Sequence, residues 1–361
     1  MSLIDELTFY YIDGVTLITI LEYSIRNTVL KKYRSVENFD IFIYYEKGYI
    51  DIWRNRLVVN VIQEFNKEIE VSSAKAKQIE YDFEVGEDVT EQFALKLLDR
   101  RYILTFKYNF DLKSKEYYNI WRYNNFKTRI GDIVFGQVFH ASKDLIILDD
   151  HHNDMLLPKK EQMFNDFMRK GESIRAVIKN VYWEDCQPII ILSRTISNFI
   201  KKLFEQEIPY ILDGFIIVKH VVRIPGEKSK VSVESYETNI QPVGSCIGIK
   251  GIRIHAIVKE LKTENIDVIK YTNNTNIYIL RALSPAKISM IEIDEQNKTA
   301  VISLKYEQVS KAIGRKGKNI RLAGKLTGYK INILRNNYNI YNKYEEEITF
   351  GDFHLTYLLR T

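Results

Sequence analysis

The strongest constraint in this sequence is a repeat. Val243-x-x-x-Ile247-Gly248-Ile249-Lys250-Gly251-x-x-Ile254 recurs as Val309-x-x-x-Ile313-Gly314-Arg315-Lys316-Gly317-x-x-Ile320. Each copy follows a β-branched run (Val231–Val233; Val301–Leu304) and opens a helical stretch that ends near Leu261 or Leu326. A further strand-like run follows each (Ile266–Ile269; Lys330–Leu334). Two glycines allow a tight bend between helices and remove side chains that would hold another backbone away. The N–H groups that open the next helix can then meet phosphate oxygens. The middle positions are basic: Lys250 in one copy, Arg315 and Lys316 in the other. A lone GxxG says little, because helix C-caps also use glycine. Two copies in one context, each with a basic centre, say much more.

Strand–helix–GxxG–helix–strand, repeated, describes two tandem KH modules, which bind single-stranded RNA. Charge agrees. Residues 311–330 carry Lys311, Arg315, Lys316, Lys318, Arg321, Lys325 and Lys330 and no acidic residue. Such a cluster attracts a phosphodiester chain. The first copy is less basic (Lys250, Arg253, Lys259), so it is expected to contribute less non-specific affinity. The net charge of the 361-residue chain is only +5, which leaves nucleic-acid affinity to local clusters of this kind.

Before the repeat, five short strands are expected at Ile133–Phe139, Leu145–Leu148, Met155–Leu157, Ile174–Tyr182 and Ile189–Leu192, with a short helix around Glu161–Met168. That pattern suggests a small closed barrel of the OB type, since closure removes exposed strand edges. Phe135, Phe139 and His140 are the candidates for stacking on bases. Alternation puts Phe135 and Phe139 on one face, where a core role is favoured over a base platform. Further upstream, Ile103, Phe106, Phe110, Tyr117 and Ile120 form one stripe of a long helix whose other faces are basic. Residues 80–85 alternate as a half-exposed strand inside an acidic stretch, 80–91, which reads as a solvated face or a partner-docking patch.

Other chemistry finds little support. Cys186 and Cys246 are the only cysteines and are far apart, so neither a disulfide framework nor a zinc ribbon is suggested and a reducing cytoplasm fits. No signal peptide or membrane span is expected. Asp149, Asp150, His151, His152 and Asp154 lie close together, but in a loop where all can face water, so no metal is expected. No nucleotide-binding, nucleophile-elbow or metalloprotease motif is present, and no enzyme or cofactor is expected.

Several segments resemble the NusA family of bacterial transcription termination/antitermination factors. They are VGEDVTEQF at 85–93, LSRT at 192–195, LFEQEIPYI at 203–211, RIPGEKSKVSVES at 223–235, PVGSCIGIKGIRI at 242–254, ELKTENIDVI at 260–269, ALSPA at 282–286 and AIGRKGKNIRLAGKLTGYKINI at 312–333. The resemblance implies an α+β multidomain chain: an N-terminal α/β domain with a long linking helix (1–128), an OB-type S1 barrel (129–196), two KH domains (197–275 and 276–340) and a short tail (341–361). It implies binding of nascent single-stranded RNA, association with RNA polymerase core and with other elongation or antitermination factors, and control of pausing, termination and antitermination by a cytoplasmic monomer. The family's functional arginine maps to Arg194. The RNA contacts map to Gly248, Ile249, Lys250, Gly251 and Arg253, and to Gly314, Arg315, Lys316, Gly317, Lys318 and Arg321. Two departures stand out. Gln241 replaces the aspartate usual before PVG. The chain also ends at Thr361, so regulation through the acidic helical repeats of some members is not expected. An accessory RNA-binding protein of RNA processing or ribosome assembly is the alternative reading. Barrel-first order and the doubled KH unit speak against a processing enzyme.

Overall fold

The computed structural model describes residues 13–34, 36–44, 48–62, 70–72, 83–93, 98–142, 144–150, 153–336 and 347–348. The chain divides into two compact units. Met1–Phe126 and Tyr182–Pro188 form one; Lys127–Val181 and Ile189–Thr361 form the other.

In the first unit, Asp13 caps α1 (Gly14–Tyr33) by accepting from the Thr16 N–H at 3.3 Å. The helix ends at Arg34 in left-handed geometry. A four-stranded sheet has β2 (Tyr49–Val59) at its centre. It pairs antiparallel with β1 (Phe39–Tyr44) and β4 (Asp88–Gln92), and parallel with β3 (Glu70–Ser72). The core gathers Ile25, Val29, Phe39, Ile52, Phe93 and Leu98, with Tyr33, Phe39 and Phe93 ring to ring.

Two expectations for this unit need correction. Among the described part of the expected strand at 80–85, Phe83–Val85 are not strand; Glu80–Asp82 lie outside the described residues. Gly86, at φ +103°, turns the chain there, and the strand falls later, at β4. The long helix exists as α2 (Arg100–Thr128), but its expected stripe is not one buried seam. Phe110 and Ser114 are buried on one side, then Asn119 and Phe126 on nearly the opposite side at 100° per residue. Asn119 is turned inward and donates to the Cys186 carbonyl at 2.9 Å, while Ile103, Tyr117 and Ile120 are exposed.

The second unit begins with the barrel: β5 (Ile133–Ala141), β6 (Leu145–Asp150), β7 (Asn153–Pro158), β8 (Ser173–Glu184) and β9 (Gln187–Ser193), closed in the order β5-β6-β7-β9-β8. Residues 182–188, at the β8–β9 tip, group with the first unit. The expected helix at 161–168 shrinks to a 3₁₀ turn, Lys159–Glu161. The chain then bends at Asp166, whose carboxylate accepts from the Met163 N–H at 3.1 Å. Phe135 and Phe139 share a face as expected, but it is the outer one: they are 56% and 59% exposed. Val134, Gly136 and Val138 face inward instead. A β-carbon at Gly136 would lie 2.9 Å from Cβ of Leu148, so the interior has no room for an aromatic register.

Two modules of one topology follow. The first has α3 (Ser197–Glu207), α4 (Pro209–Leu212), β10 (Ile216–Ile224), β11 (Lys228–Ser235), α5 (Pro242–Ile247), α6 (Ile252–Glu260) and β12 (Asn265–Lys270). The second has α7 (Thr275–Ala282), β13 (Met290–Asp294), β14 (Thr299–Lys305), α8 (Tyr306–Ile313), α9 (Lys318–Thr327) and β15 (Lys330–Asn336), with β16 (Glu347–Ile348) pairing on β15. In each, the middle strand pairs antiparallel with the one before it and parallel with the one after the helices. Alternation along β11 sends Val231 and Val233 into the first core. Lys230 and Ser232 are also fully buried. The next module covers that sheet: Val222, Ile269 and Tyr271 join the second core, and α9 packs on β10 and β11.

The barrel is locked to the first module by buried charge. Arg194, 1% exposed, donates to Asp166 (Nε to Oδ2, 2.9 Å), to the Glu260 carboxylate (2.8 Å) and carbonyl (3.1 Å), and to the Arg175 carbonyl. Arg175 adds bonds to Glu260 (3.1 Å) and Glu207 (2.8 Å). Alongside, Arg223 pairs with the buried Glu264 and donates to the carbonyls of Arg194 (2.9 Å) and Ile196 (3.0 Å). Every charge has a partner, which is the condition under which buried ions are tolerated. Arg194→Met leaves the buried Asp166 carboxylate without its counter-ion and takes one of the two guanidinium partners of Glu260, so it is expected to lower unfolding free energy by roughly 3–5 kcal/mol in denaturant titrations. Burial raises the pKa of Glu260, but Arg194 and then Arg175 outweigh it and hold it below the ordinary 4.5. A depressed carboxyl stabilises the fold fully above its unfolded pKa and loses that contribution as pH falls. Melting temperature should therefore drop as pH falls below 4.5, and less steeply in Glu260→Gln than in the parent.

Candidate nucleic-acid interface

Both GxxG segments adopt one backbone shape. Gly248 and Gly314 have φ/ψ of 76/174° and 72/173°, Gly251 and Gly317 78/15° and 68/11°. Lys250 and Lys316, between them, are also left-handed, at φ 53° and 56°. Gly248 N–H returns to the Gly244 carbonyl and Gly314 N–H to that of Ser310, both at 2.9 Å, which closes the preceding helix. Gly251 and Gly317 then donate back to Gly248 and Gly314 at 3.1 Å.

The glycines of a loop are not equivalent. A β-carbon on Gly314 would lie 2.7 Å from Cβ of Asn319, and one on Gly248 3.0 Å from Cγ of Arg253. Gly317 has nothing within 4 Å, so open space stands where a backbone-hugging ligand would come. Asn319 and Arg253 occupy matching places and do matching work. The Asn319 amide donates to the carbonyls of Lys311, Ala312 and Leu283, each at 3.2 Å. Arg253 donates to the Ser245 carbonyl at 2.7 Å and lies over the Tyr210 ring. Arg253 is thus engaged in holding its own loop.

The remaining candidates fall into three groups. Lys250, Arg315, Lys316 and Arg321 are exposed. Among the described residues these four form no ion pair. Ile249 is exposed too, and with Ile252 it makes the first loop half apolar where the second is wholly basic. Lys318 meets a carboxylate that sequence proximity does not reveal, Glu227 of the β10–β11 turn, at 2.7 Å. Arg194 is a correction: its guanidinium is enclosed by Asp166 and Glu260 and has no face left for RNA. Gln241 stands at the N-cap of α5 without a side-chain capping bond.

Among the described residues no cluster of His, Cys, Asp and Glu is placed to hold a metal; His151 and His152 lie outside them. No described helix is long and apolar enough to cross a membrane.

Comparison with known proteins agrees with this architecture in all three parts that family profiles cover. Residues 11–117 match the NusA N-terminal domain, 194–271 the NusA-like first KH domain and 275–339 the NusA-like second KH domain. The chain is 35% identical over 303 residues to the transcription termination/antitermination protein NusA of Halalkalibacterium halodurans, covering 84% of this chain and 79% of that one. It is 32% identical to that of Bacillus subtilis (92% and 90% covered) and 33% to that of Thermus thermophilus (81% and 75%). The chain belongs to the NusA family.

It is therefore an RNA-binding transcription factor of the termination/antitermination class, built as an N-terminal domain, a five-stranded barrel consistent with an S1 domain, and tandem KH domains. Several NusA-like segments meet at the barrel–KH lock rather than at the loops: Arg194 of LSRT, Arg223 and Gly226 of RIPGEKSK, and Glu260 and Glu264 of ELKTENIDVI. The glycine geometry makes a sharp contrast. Gly314→Ala combines a left-handed φ with a clash and is expected to cost about 2 kcal/mol or more, Gly317→Ala only about 1 kcal/mol for its φ. Equilibrium unfolding of both variants measures the difference.

Proposed function

We propose that the two KH modules carry single-stranded nascent RNA across their GxxG loops, with the second supplying most of the electrostatic affinity. The observation that carries this reading is the open approach at Gly317 beside Arg315, Lys316 and Arg321. Arg315 and Lys316 are aimed outward by a backbone their own glycines permit. The N-terminal unit contacts RNA polymerase core, and the chain modulates pausing, termination and antitermination there, alongside other elongation factors. It acts as a cytoplasmic monomer without catalysis or cofactor. Its relatives' shared name, transcription termination/antitermination protein, supports the setting.

RNA affinity should fall with salt, log K changing against log salt with a slope of about −0.7 for each phosphate neutralised. Gly317→Asp puts a carboxylate where a phosphate would approach, so affinity should drop at least tenfold (~1.4 kcal/mol) while melting changes little. Filter binding and thermal melting on the same preparations decide it; salt-independent binding by the parent would refute the reading. Co-purification of the full chain with core polymerase tests the remaining half.

A further inference from the structure

The basic stretch 311–330 contains no acidic residue, yet an acid reaches it in the fold. Glu227 lies in the β10–β11 turn of the first KH module, and its Oε2 is 2.7 Å from Nζ of Lys318, the residue that opens α9 directly after the second GxxG loop. Its placement is fixed by backbone, not chance. Glu227 N–H donates to the Ile224 carbonyl at 3.0 Å, and Asn265 N–H donates to the Glu227 carbonyl at 3.2 Å. The preceding Gly226 N–H is held by the buried Glu264 carboxylate at 2.9 Å. Lys228, its nearest lysine in sequence, turns away to Asp267 at 2.8 Å. That leaves Glu227 to α9.

We propose that Glu227 is a built-in competitor for RNA phosphate on the second KH module, occupying Lys318 until RNA displaces it and so setting both the affinity and the number of phosphates engaged there. The inference rests on the RNA-binding reading of that module. Three observations favour it. The pair is wet enough to exchange: Glu227 is 46% and Lys318 22% exposed. The carboxylate is one-to-one with a cation at the start of a helix, where an anion is favoured. Its pKa is lowered first by the hydrogen bond from Lys318, with further pull from Lys318, Lys316 and Arg321, so it answers to the same cations a phosphate would meet. The contact joins two modules, which also makes it sensitive to RNA that crosses from one to the other.

The test is binding of a labelled mixed-sequence single-stranded RNA oligonucleotide across a salt series, to the parent, Glu227→Gln, Lys318→Met, the double variant and Glu292→Gln. Glu292 is an exposed carboxylate on β13 and controls for net charge. Exposed pairs are worth up to about 1 kcal/mol, so Glu227→Gln should tighten binding roughly two- to fivefold. Its salt slope should steepen by up to about 0.7, the contribution of one further phosphate. The gain should vanish in the Lys318→Met background, and Glu292→Gln should give less than half of it. Parent-like affinity and slope in Glu227→Gln, an undiminished gain without Lys318, or an equal gain in Glu292→Gln would overturn the inference while leaving RNA binding intact. No binding by the parent would overturn the reading beneath it as well. Melting of Glu227→Gln should match that of the parent, which separates release of Lys318 from misfolding.

Discussion

A buried guanidinium must be answered from every side, and that requirement organises the second unit. Arg194 directly follows the barrel's last strand, Asp166 comes from the bend after β7, and Glu260 ends the helix that begins at the first GxxG loop. Arg223 and Glu264 repeat the arrangement one layer away. Apolar packing alone would tolerate some sliding between barrel and KH module. Paired buried charges do not, because displacement leaves ions unpaired in a poorly polarisable interior. The same lock grips Gly226 and therefore presents Glu227 to Lys318. Barrel, first module and second module are in this way joined by ion pairs.

The two loops show how one backbone can carry different chemistries. Left-handed φ at both glycines and at the lysine between them is common to both. The side chains differ. Ile249 and Ile252 stand where Arg315 and Lys318 stand in the second loop, and Arg253 where Asn319 does. An apolar, singly charged loop favours contact with bases or a hydrophobic partner surface, whereas a wholly basic loop favours phosphate. Both keep a polar side chain, Arg253 or Asn319, that ties the preceding helix's last carbonyls to the following helix. Loop shape is thus protected separately from loop charge, which lets charge vary without loss of geometry.

The repeat, its glycines and its local charge were legible in the chain because each acts over a few residues. GxxG needs its glycines for bond-rotation reasons alone, and the strands on either side announce themselves by β-branched runs. The five barrel strands and the doubled α+β module follow from the same short-range signals. What alternation could not reveal is parity: it placed Phe135 and Phe139 together, but only closure around Gly136 and Leu148 put them outside. Nor could helical spacing reveal that α2 buries one side near Phe110 and the other near Phe126. Arg194 reads in sequence as a free cation in a strand; it is an interior ion because carboxylates distant in sequence arrive around it. Glu227 reads as a surface acid in a turn, and becomes part of the candidate RNA surface only when the second module stacks on the first. The sequence by itself determined the modules and the loop backbones, through local torsion and periodicity. Tertiary structure alone decided which charges are buried, paired or free, because a charge's role depends on its neighbours in space.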